Sequence, residues 1–521
     1  MPLRPEDLPR DPDVLIRIVL DQALEIEKLH TALKMVQGYA FGPRSERLSA
    51  LGEEQPGLDL GDLPTDVTPG GANDEASDPV APQAVRKKPK RNIGLLPKHL
   101  PRVDEVIEPL SVVCPCCAGT LHKIGEDVAE ALDAVPAVLR VLRTVRPKYA
   151  CRSCTEGVVQ APAKPRVFQG GMATTAMIVN TAVWRFAWHM PFNRQAKMLA
   201  GQGVDIDRST LCKWVKRLSW WVSGLHQRQL EVMHTFPRLF CDETRMPVRR
   251  EDKKRVHIGQ FWTHATDDRP WGGPAPPAVA YVYAEGRGHR EIKAQLSDYQ
   301  GLLQVDGYGG YKALAKTGRK PGPIQLAYCL AHARRKFVDV YKATGSCFAQ
   351  AVIERIAEIY AVEADIRGTS ADWRLEVRQA RSAPLMAVLK RELESGVAQI
   401  SKKSTQAKAI RYTLGHWAGL NLFLQDGRLE VDNNTVERSI RPIALGRRNS
   451  LFAGDDGGAE SWSILASLLQ TAVLNGVDPY TYLLDIVEKI VSGEVKNHEL
   501  DQLLAWNWKA ARQTDPVALA A

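Results

Sequence analysis

Three acidic residues stand where they could hold metal ions. Asp242 in RLFCDETRMPV and Asp306 in GLLQVDGYGGYKAL each end a short apolar run that predicts a buried strand. Glu437 in DNNTVERSIRP lies on a segment that predicts a helix. Carboxylates placed in this way can hold a pair of Mg²⁺ ions, the arrangement that transfers phosphodiesters in line. Isolated acids on strands are also common as caps and ion-pair partners, so other features must decide.

The elements that would position these acids follow an α/β order. Three hairpin-linked strands, a helix and two further strands are predicted, in that order, at 238–250, 255–267, 278–288, 289–300, 301–308 and 324–332. This is the order of an RNase H-like fold, in which Asp242 and Asp306 would lie on adjacent central strands. The stretch 333–428 is helical in pattern and too long for a loop, so it predicts an all-helical insertion before Glu437. Two more helices are predicted after Glu437, at 461–478 and 478–493.

Four of the nine cysteines form two close pairs, CPCC at 114–117 and CRSC at 151–154. In a cytosolic chain this usage favours metal ligands or buried thiols over disulfides. Cys114, Cys117, Cys151 and Cys154 would supply four thiolates, enough for a closed, structural Zn²⁺ site. The segment 136–150 between the pairs predicts a strand that returns the second pair to the first. Cys116 is surplus and could replace Cys114.

The net charge of +9 understates how basic most of this 521-residue chain is. Residues 48–85 contain eight acidic residues and no Lys or Arg, so the remainder carries about +17. A surplus of this size suits a polyanionic partner, although a solubilising surface is the alternative. No apolar stretch approaches the roughly 20 residues that span a bilayer, and no secretory signal is recognisable, so a cytoplasmic protein without membrane contact is expected.

Several segments are candidates for DNA contact or self-association. Residues 13–37 follow heptad spacing, which predicts either a short coiled coil or a helix packed on the chain's own core. The acidic linker ends in a basic arm, RKKPKRN, at 86–92. Residues 194–222 have the outline of a helix-turn-helix with a Gly201/Gly203 turn, or of a plain helical hairpin. The candidate phosphate-contacting or groove-contacting residues are Arg86, Lys87, Lys88, Lys90, Arg91, Arg208, Lys213, Lys216 and Arg217.

Longer motifs then become recognisable as a set. They are CPCC…CRSC, RSTLCKWV, CDET, VDGYGGY, AYCLAHARRKF and DNNTVERSIRPIALGRRNSLFAGDDGG. In these motifs, over nearly its whole length, the chain resembles transposases of the insertion sequence 66 family, a bacterial group with DDE chemistry. Two departures, Met246-Pro247 after CDET and Ser450 in RRNSLFAG, touch none of the acids.

The resemblance implies which residues do chemistry. It places the catalytic acids at Asp242, Asp306 and Glu437, holding two Mg²⁺ (or Mn²⁺) ions per active site. It also carries a Cys-x-x-His signature, here Cys329 and His332. His332 would orient a carboxylate or contact the scissile strand, or else be a satisfied core histidine. Four arginines that follow the glutamate are candidates for phosphate contacts or an ordinary basic surface: Arg438, Arg441, Arg447 and Arg448.

The implied activity is metal-dependent cleavage and strand transfer of DNA at the terminal inverted repeats of an insertion sequence. The expected partners are double-stranded DNA, from the element ends and the target, and further copies in a homodimer or larger synaptic complex. Companion proteins of the same element and association with the bacterial nucleoid are also implied. The alternatives are a catalytically inactive regulator derived from a transposase and an RNase H-like nuclease that does not join. An aspartyl-nucleophile phosphatase is disfavoured, because CDET lacks a second aspartate two residues later.

The resulting fold class is multidomain α+β, with an RNase H-like α/β catalytic core that carries an all-helical insertion. An N-terminal heptad helix, a zinc-binding module and a helix-turn-helix-like helical domain precede this core. The expected domains are an N-terminal helical segment at 1–50, a disordered acidic linker ending in the basic arm at 51–92, a zinc-binding module at 93–165, a DNA-binding helical domain at 166–232, the catalytic domain at 233–455 with its insertion at about 333–428, and a C-terminal helical region at 456–521.

Overall fold

The computed structural model describes residues 139–150, 158–250, 256–398 and 400–514. All of them belong to one compact unit, Val135–Ala521. The heptad helix, the acidic linker, the basic arm (Arg86, Lys87, Lys88, Lys90 and Arg91) and the zinc candidates Cys114, Cys117, Cys151 and Cys154 lie outside the described residues. No helix in the described ranges is long and apolar enough to cross a membrane.

A five-stranded mixed sheet forms the centre of this unit. Its strands are β3 (Arg238–Arg249), β4 (Val256–Thr266), β5 (Ala278–Ala284), β6 (Leu302–Val305) and β7 (Gln325–Tyr328). The strand order is β5-β4-β3-β6-β7, in which β3, β4 and β5 are antiparallel and β3, β6 and β7 are parallel. Helix α4 (His289–Gln295) lies between β5 and β6. The predicted strand and helix order is confirmed.

β3 spans nearly the whole of the strand predicted at 238–250: it continues seven residues past Asp242 and ends at Arg249. The reason is packing beyond the acid: Met246 and Val248 are fully buried and pair with Gly259 and His257 of β4. Asp242 therefore lies inside a strand, whereas Asp306 directly follows β6 as predicted.

Of the segment predicted as a strand at 136–150, the structure describes residues 139–150, and only the last part of these is a strand. Residues 139–147 have no regular structure, and the strand β1 is confined to Lys148–Ala150. It pairs antiparallel with β2 (Val158–Gln160), and the side chains of Arg146 and Gln160 bond across the pair to backbone carbonyls.

Helices on both sides of the β3–β5 region come from distant parts of the chain. They are α1 (Thr175–Phe186), α2 (Phe192–Gly201) and α3 (Arg208–His234) before the sheet, and α11 (Asn434–Asn449), α12 (Asp456–Leu474), α13 (Pro479–Ser492) and α14 (Ala505–Thr514) after it. Asp207, one of the two residues in this sequence that could cap the helix, does so by accepting from the Ser209 amide. The helix does not stop at Val222 but continues to His234, because its apolar stripe continues through Leu225 to Met233, both fully buried.

The insertion is helical, as predicted, and has its own core. Its helices are α5 (Leu330–Thr344), α6 (Cys347–Asp365), α7 (Ala371–Val377), α8 (Ala383–Ala398), α9 (Thr405–Gly415) and α10 (Trp417–Leu420). Phe337, Ile356, Leu389 and Ile410 are among the fully buried residues that join them. Because α5 begins at Leu330, His332 lies in the first turn of a helix and not at a strand end.

Three buried histidines give the sheet region a defined acid sensitivity. Burial lowers the pKa of His226 and His234 to about 4 and that of His264 to about 3. His226 donates through Nε2 to the Tyr281 carbonyl, a bond that opposes the lowering of its pKa but does not outweigh desolvation. In the unfolded chain these histidines bind a proton near pH 6.5, whereas in the folded protein they stay neutral until the pH is much lower.

We therefore expect stability that is fully present above pH 6.5 and falls as the pH drops towards 4. The loss is about 2 kcal/mol for each histidine at pH 5. Thermal unfolding between pH 7.5 and 5 measures it. His226→Gln, which keeps a donor for the Tyr281 carbonyl, should flatten the pH dependence, and the matched control His289→Gln, at an exposed position, should not. If stability fell equally with pH in wild type and in both variants, the assignment of this acid sensitivity to His226 would be contradicted.

Candidate active site

The sheet register places the two aspartates side by side. Phe240 of β3 pairs with Gln304 of β6, the last pair between these two strands, and Asp242 and Asp306 each follow that pair by two residues, with Asp306 just beyond the end of β6. Each carboxylate is held by a nearby backbone amide: Glu243 donates to Asp242 Oδ1 at 2.8 Å, and Tyr308 donates to Asp306 Oδ1 at 2.7 Å. The pair is therefore oriented by the backbone before any ligand binds.

The electrostatics of this pair favour a cation. Desolvation raises the pKa of Asp242 well above its usual value, and the charges of Asp306, Glu243 and Glu437 raise it further. A carboxylate that is partly buried among other carboxylates holds its proton because water no longer stabilises the anion. A divalent cation would relieve the same repulsion without protonation.

The third acid reaches the site from a helix that crosses the sheet. Glu437 lies in the first turn of α11, as predicted. Ten residues further along α11, the Arg447 guanidinium donates to Thr244 Oγ1 at 3.0 Å and to the Arg245 carbonyl. Side chains of alternate strand residues share a face, so Thr244 and Asp242 face α11 together. The charge of Glu437 is close enough to raise the pKa of Asp242.

Glu437 is nevertheless turned towards a different neighbour. Its Oε1 lies 3.7 Å from His332 Nδ1. Among the described residues, the group of three whose ligand atoms all lie within 4.8 Å of one another is Cys329, His332 and Glu437. Asp242, Asp306 and Glu437 do not meet that limit together. Like charges without a cation repel, and the imidazole is the alternative partner for the glutamate.

The insertion contributes contacts that the sequence did not reveal. The Tyr412 hydroxyl, on α9, donates to the Asp306 carbonyl at 2.8 Å. Gly307 follows with φ +99°, and a Cβ there would lie 2.7 Å from that hydroxyl and 3.4 Å from His416 Nε2. Only glycine fits this position without strain. The Gly after Asp306 was visible in VDGYGGY, but no sequence signal links it to a tyrosine more than 100 residues away.

A second set of unforeseen residues lies on the opposite face of β3. The Glu243 side chain is buried and pairs with Arg287, and its Oε2 accepts from the Tyr311 hydroxyl at 3.2 Å. Burial raises the pKa of Glu243, and the nearby Arg287 opposes that rise. The Arg287 guanidinium also lies 4.2 Å from the ring centre of Tyr308, whose amide holds Asp306. This cluster connects strand β3, which carries Asp242, to the loop after β6, which carries Asp306.

The basic candidates within the described ranges are mostly exposed. On α3, Arg208, Lys213 and Lys216 face solvent, and the Arg217 guanidinium lies over the exposed ring of Trp220 at 4.2 Å. On α11, Arg438, Arg441 and Arg448 are exposed, whereas Arg447 is bound to β3. Whether any of them contacts DNA stays a prediction.

Comparison with known families now decides the relationship. The family model described as "Transposase IS66 family" matches residues 170–461, which is more than half of the chain. The chain belongs to the IS66 transposase family. This match includes Asp242, Asp306, Glu437 and the helical insertion.

Three further IS66 models match the flanking regions. The "zinc-finger binding domain of transposase IS66" covers residues 112–155, which contain all four zinc candidates. The "IS66 C-terminal element" covers 467–506, and the model "Transposase C of IS166 homeodomain" covers 28–104. The multidomain order expected from the sequence is consistent with these matches.

Full-length relatives are found in Sinorhizobium fredii (strain NBRC 101917 / NGR234). The uncharacterized protein y4jD is 51% identical over 98% of this chain and 99% of its own length. The uncharacterized proteins y4qI and y4hP are 38% and 35% identical over 93% and 94% of this chain, and 89% and 88% of their own lengths. The printed names of these relatives assign them no activity.

Proposed function

We propose that this protein is a DNA transposase that cleaves the ends of an insertion sequence and joins them to target DNA. The observation that carries the proposal is the register that sets Asp242 beside Asp306, with Glu437 on the helix crossing the same face. Family membership supports the same reading, because the matched region is a transposase region.

The core is proposed to be RNase H-like. An antiparallel three-strand unit with two parallel strands added beside its first strand is the order seen here, β5-β4-β3-β6-β7. The insertion enters after β7 and returns to the sheet through α11, which brings Glu437 to the aspartates. This arrangement supports a phosphoryl-transfer site better than three unrelated acids would.

The donor set fits Mg²⁺ or Mn²⁺. Asp242, Asp306 and Glu437 offer only carboxylate oxygens, the hard ligands that these ions prefer. The raised pKa of Asp242, caused first by desolvation and then by the neighbouring carboxylates, supports a site that is more stable with cations than with bare negative charges. Two bound divalent ions would supply Lewis-acid activation of the nucleophile and stabilisation of the leaving oxygen.

The chain's own residues position that chemistry. Backbone amides fix one oxygen of each aspartate, and Tyr412 fixes the Asp306 backbone from the insertion. His332 faces Glu437 and would orient its carboxylate. The exposed arginines Arg438, Arg441 and Arg448 would contact DNA phosphates beside the acids, where charge accumulates on the reacting phosphodiester.

End recognition is assigned to the parts of the chain that precede the sheet. Three parts of the chain would bind the terminal inverted repeats. They are the cysteine knuckles (the pairs Cys114/Cys117 and Cys151/Cys154, holding a structural Zn²⁺), the basic arm and the exposed face of α3. Two ends must meet for transposition, so a homodimer or larger synaptic complex is expected, with companion proteins of the element as further partners. Action on chromosomal DNA would place the protein at the bacterial nucleoid.

The Tyr412 contact leads to a specific prediction. Tyr412→Phe should raise the Mg²⁺ concentration for half-maximal cleavage about tenfold, because outer contacts of metal ligands typically contribute that much. The fold should lose only about 1 kcal/mol, the value of one hydrogen bond. Tyr341→Phe, on the half-exposed face of α5, is the matched control. An unchanged Mg²⁺ requirement in Tyr412→Phe would remove this residue from the site.

One assay separates the proposal from its rivals. The protein is incubated with a labelled fragment carrying the element's end, with target DNA and Mg²⁺, and with a fragment lacking that end. The transposase produces both nicked ends and joined products from the first fragment only. Binding without nicking would favour an inactive regulator, and nicking without joining would favour a nuclease. Both outcomes would overturn the proposal.

A further inference from the structure

A second group of possible metal ligands, softer than the set of three carboxylates, shares Glu437 with that set and adds a cysteine and a histidine. Cys329 directly precedes α5, His332 lies in the first turn of α5, and Glu437 lies in the first turn of α11. Their sulfur, nitrogen and oxygen ligand atoms all lie within 4.8 Å of one another. Residues three apart at a helix start face the same side, which is why the Cys-x-x-His spacing brings Cys329 and His332 together.

The distances suit a metal better than a hydrogen bond. His332 Nδ1 and Glu437 Oε1 are 3.7 Å apart, beyond hydrogen-bond reach, and within the described part of the chain both atoms are buried and without a hydrogen-bond partner. A nitrogen and an oxygen ligand on one tetrahedral zinc are about 3.3 to 3.5 Å apart, given the usual zinc–ligand distances. The observed distance between His332 Nδ1 and Glu437 Oε1 is only slightly longer.

The backbone holds the two helix starts in place. The Asn433 amide, just before α11, donates to Cys329 Sγ at 3.2 Å, and the Leu330 amide donates to the Val431 carbonyl at 3.0 Å. These bonds join the start of α5 to the turn that leads into α11. The three ligands therefore need only small side-chain movements to close around an ion.

The ligand types select the ion. A thiolate, an imidazole and a carboxylate form a borderline-soft set that favours Zn²⁺ and disfavours Mg²⁺, whereas the three carboxylates have the opposite preference. Glu437 is common to both sets. The carboxylate cannot approach both ions in the same way, so occupation of one set weakens the other.

We propose that Cys329, His332 and Glu437 form a second, regulatory Zn²⁺ site, separate from the cysteine knuckles, that withholds Glu437 from Asp242 and Asp306. The binding part of this inference stands alone, and its inhibitory part rests on the proposed function. With zinc bound the protein is in a resting state, and loss of zinc frees Glu437 for the carboxylate set.

Zinc stoichiometry of the intact chain tests the site directly. Wild type should hold one more equivalent of Zn²⁺ than His332→Ala or Cys329→Ser, and the second equivalent should bind at least tenfold more weakly in both variants. Cys347→Ser removes an exposed cysteine elsewhere and should keep the full stoichiometry. With Co²⁺ in place of Zn²⁺, the sulfur-to-metal absorption band should lose intensity in Cys329→Ser and keep its full intensity in Cys347→Ser. Circular dichroism confirms folding, and His332→Gln serves if His332→Ala does not fold. Equal zinc content in all these proteins would overturn the site.

Inhibition is measured separately from binding. Added Zn²⁺ should suppress Mg²⁺-supported cleavage by wild type, and Cys329→Ser should need at least tenfold more Zn²⁺ for half-inhibition of its own zinc-free activity. Equal half-inhibitory concentrations would overturn the regulatory role. A second zinc equivalent in wild type and Asp306→Asn, with no cleavage under any condition, would sustain the site and remove the proposed function. Cleavage by a wild-type protein that holds no second zinc equivalent would sustain the proposed function and remove the site.

Discussion

Asp242→Asn should be more stable than wild type without added divalent metal and should have lost DNA cleavage by about 1,000-fold or more. The proposed chemistry needs the Asp242 carboxylate, yet its negative charge destabilises the fold, because burial and three neighbouring carboxylates raise its pKa. Asparagine keeps an oxygen for the Glu243 amide and removes the charge. We expect a gain of about 1 to 2 kcal/mol in the free energy of unfolding near neutral pH.

The pH dependence of that gain follows from the direction of the shift. The folded protein binds the Asp242 proton more tightly than the unfolded chain, whose aspartates titrate near pH 3.9. Wild-type stability therefore falls as the pH rises from about 4 towards the raised pKa, and the gain from Asp242→Asn grows over the same range. Urea unfolding of both proteins at several pH values measures it, with the exposed Asp298→Asn as control. A less stable Asp242→Asn protein that still cleaves DNA would contradict both expectations.

Arg378→Ala should cost about 3 to 5 kcal/mol and unfold the insertion first. Arg378 is completely buried, its guanidinium bonds both oxygens of Glu363 at 2.7 and 2.6 Å, and it also donates to the Phe423 carbonyl at 3.2 Å. Removing it leaves the buried Glu363 carboxylate facing only Arg374, 3.6 Å away. An incompletely compensated buried charge is far more costly than a lost surface pair.

The loss of Arg378 should also disturb the active site, through the neighbouring ion pair between Arg374 and Glu430. Arg374 bonds Glu430 at 2.9 Å, and the backbone of Glu430 exchanges two hydrogen bonds with the Gln304 side chain, two residues before Asp306. Hydrogen exchange and urea unfolding should therefore show loosening of α6 to α8 first. The control is Arg381→Ala, which breaks a solvent-exposed pair with Asp365 and should cost less than about 1 kcal/mol. Equal losses in the two variants would contradict this account of the insertion.

The sheet could be predicted because its signal is local. Segments of 8 to 13 residues separated by turn residues predicted all five strands, and apolar runs within two of them placed Asp242 and Asp306. The end of β7 was missed: the strand was predicted to run to 332, whereas it ends at Tyr328 and α5 begins at Leu330. The apolar run continues across this boundary, so a single run of residues does not encode where the strand ends.

The three acids of the site could be predicted from the sequence, but the residues that contact them could not. Asp242, Asp306 and Glu437 stand in recognisable motifs, but contacts across the insertion depend on how its helices pack. Tyr412 and Gly307 meet only because α9 folds back over the loop after β6. The orientation of Glu437 towards His332 was equally unreadable, since it depends on charge repulsion among side chains that the fold brings together.

The most direct test of the central claim is a change of metal preference at Asp306. Asp306→Cys replaces a hard carboxylate ligand with a thiolate, which accepts Mn²⁺ far better than Mg²⁺. If Asp306 binds the catalytic metal, this protein should be inactive with Mg²⁺ and regain measurable cleavage of the element's end with Mn²⁺, while Asp306→Ala stays inactive with both ions. Cleavage by Asp306→Cys that is equal in Mg²⁺ and Mn²⁺, or that persists in Asp306→Ala, would contradict a metal-binding role for this aspartate.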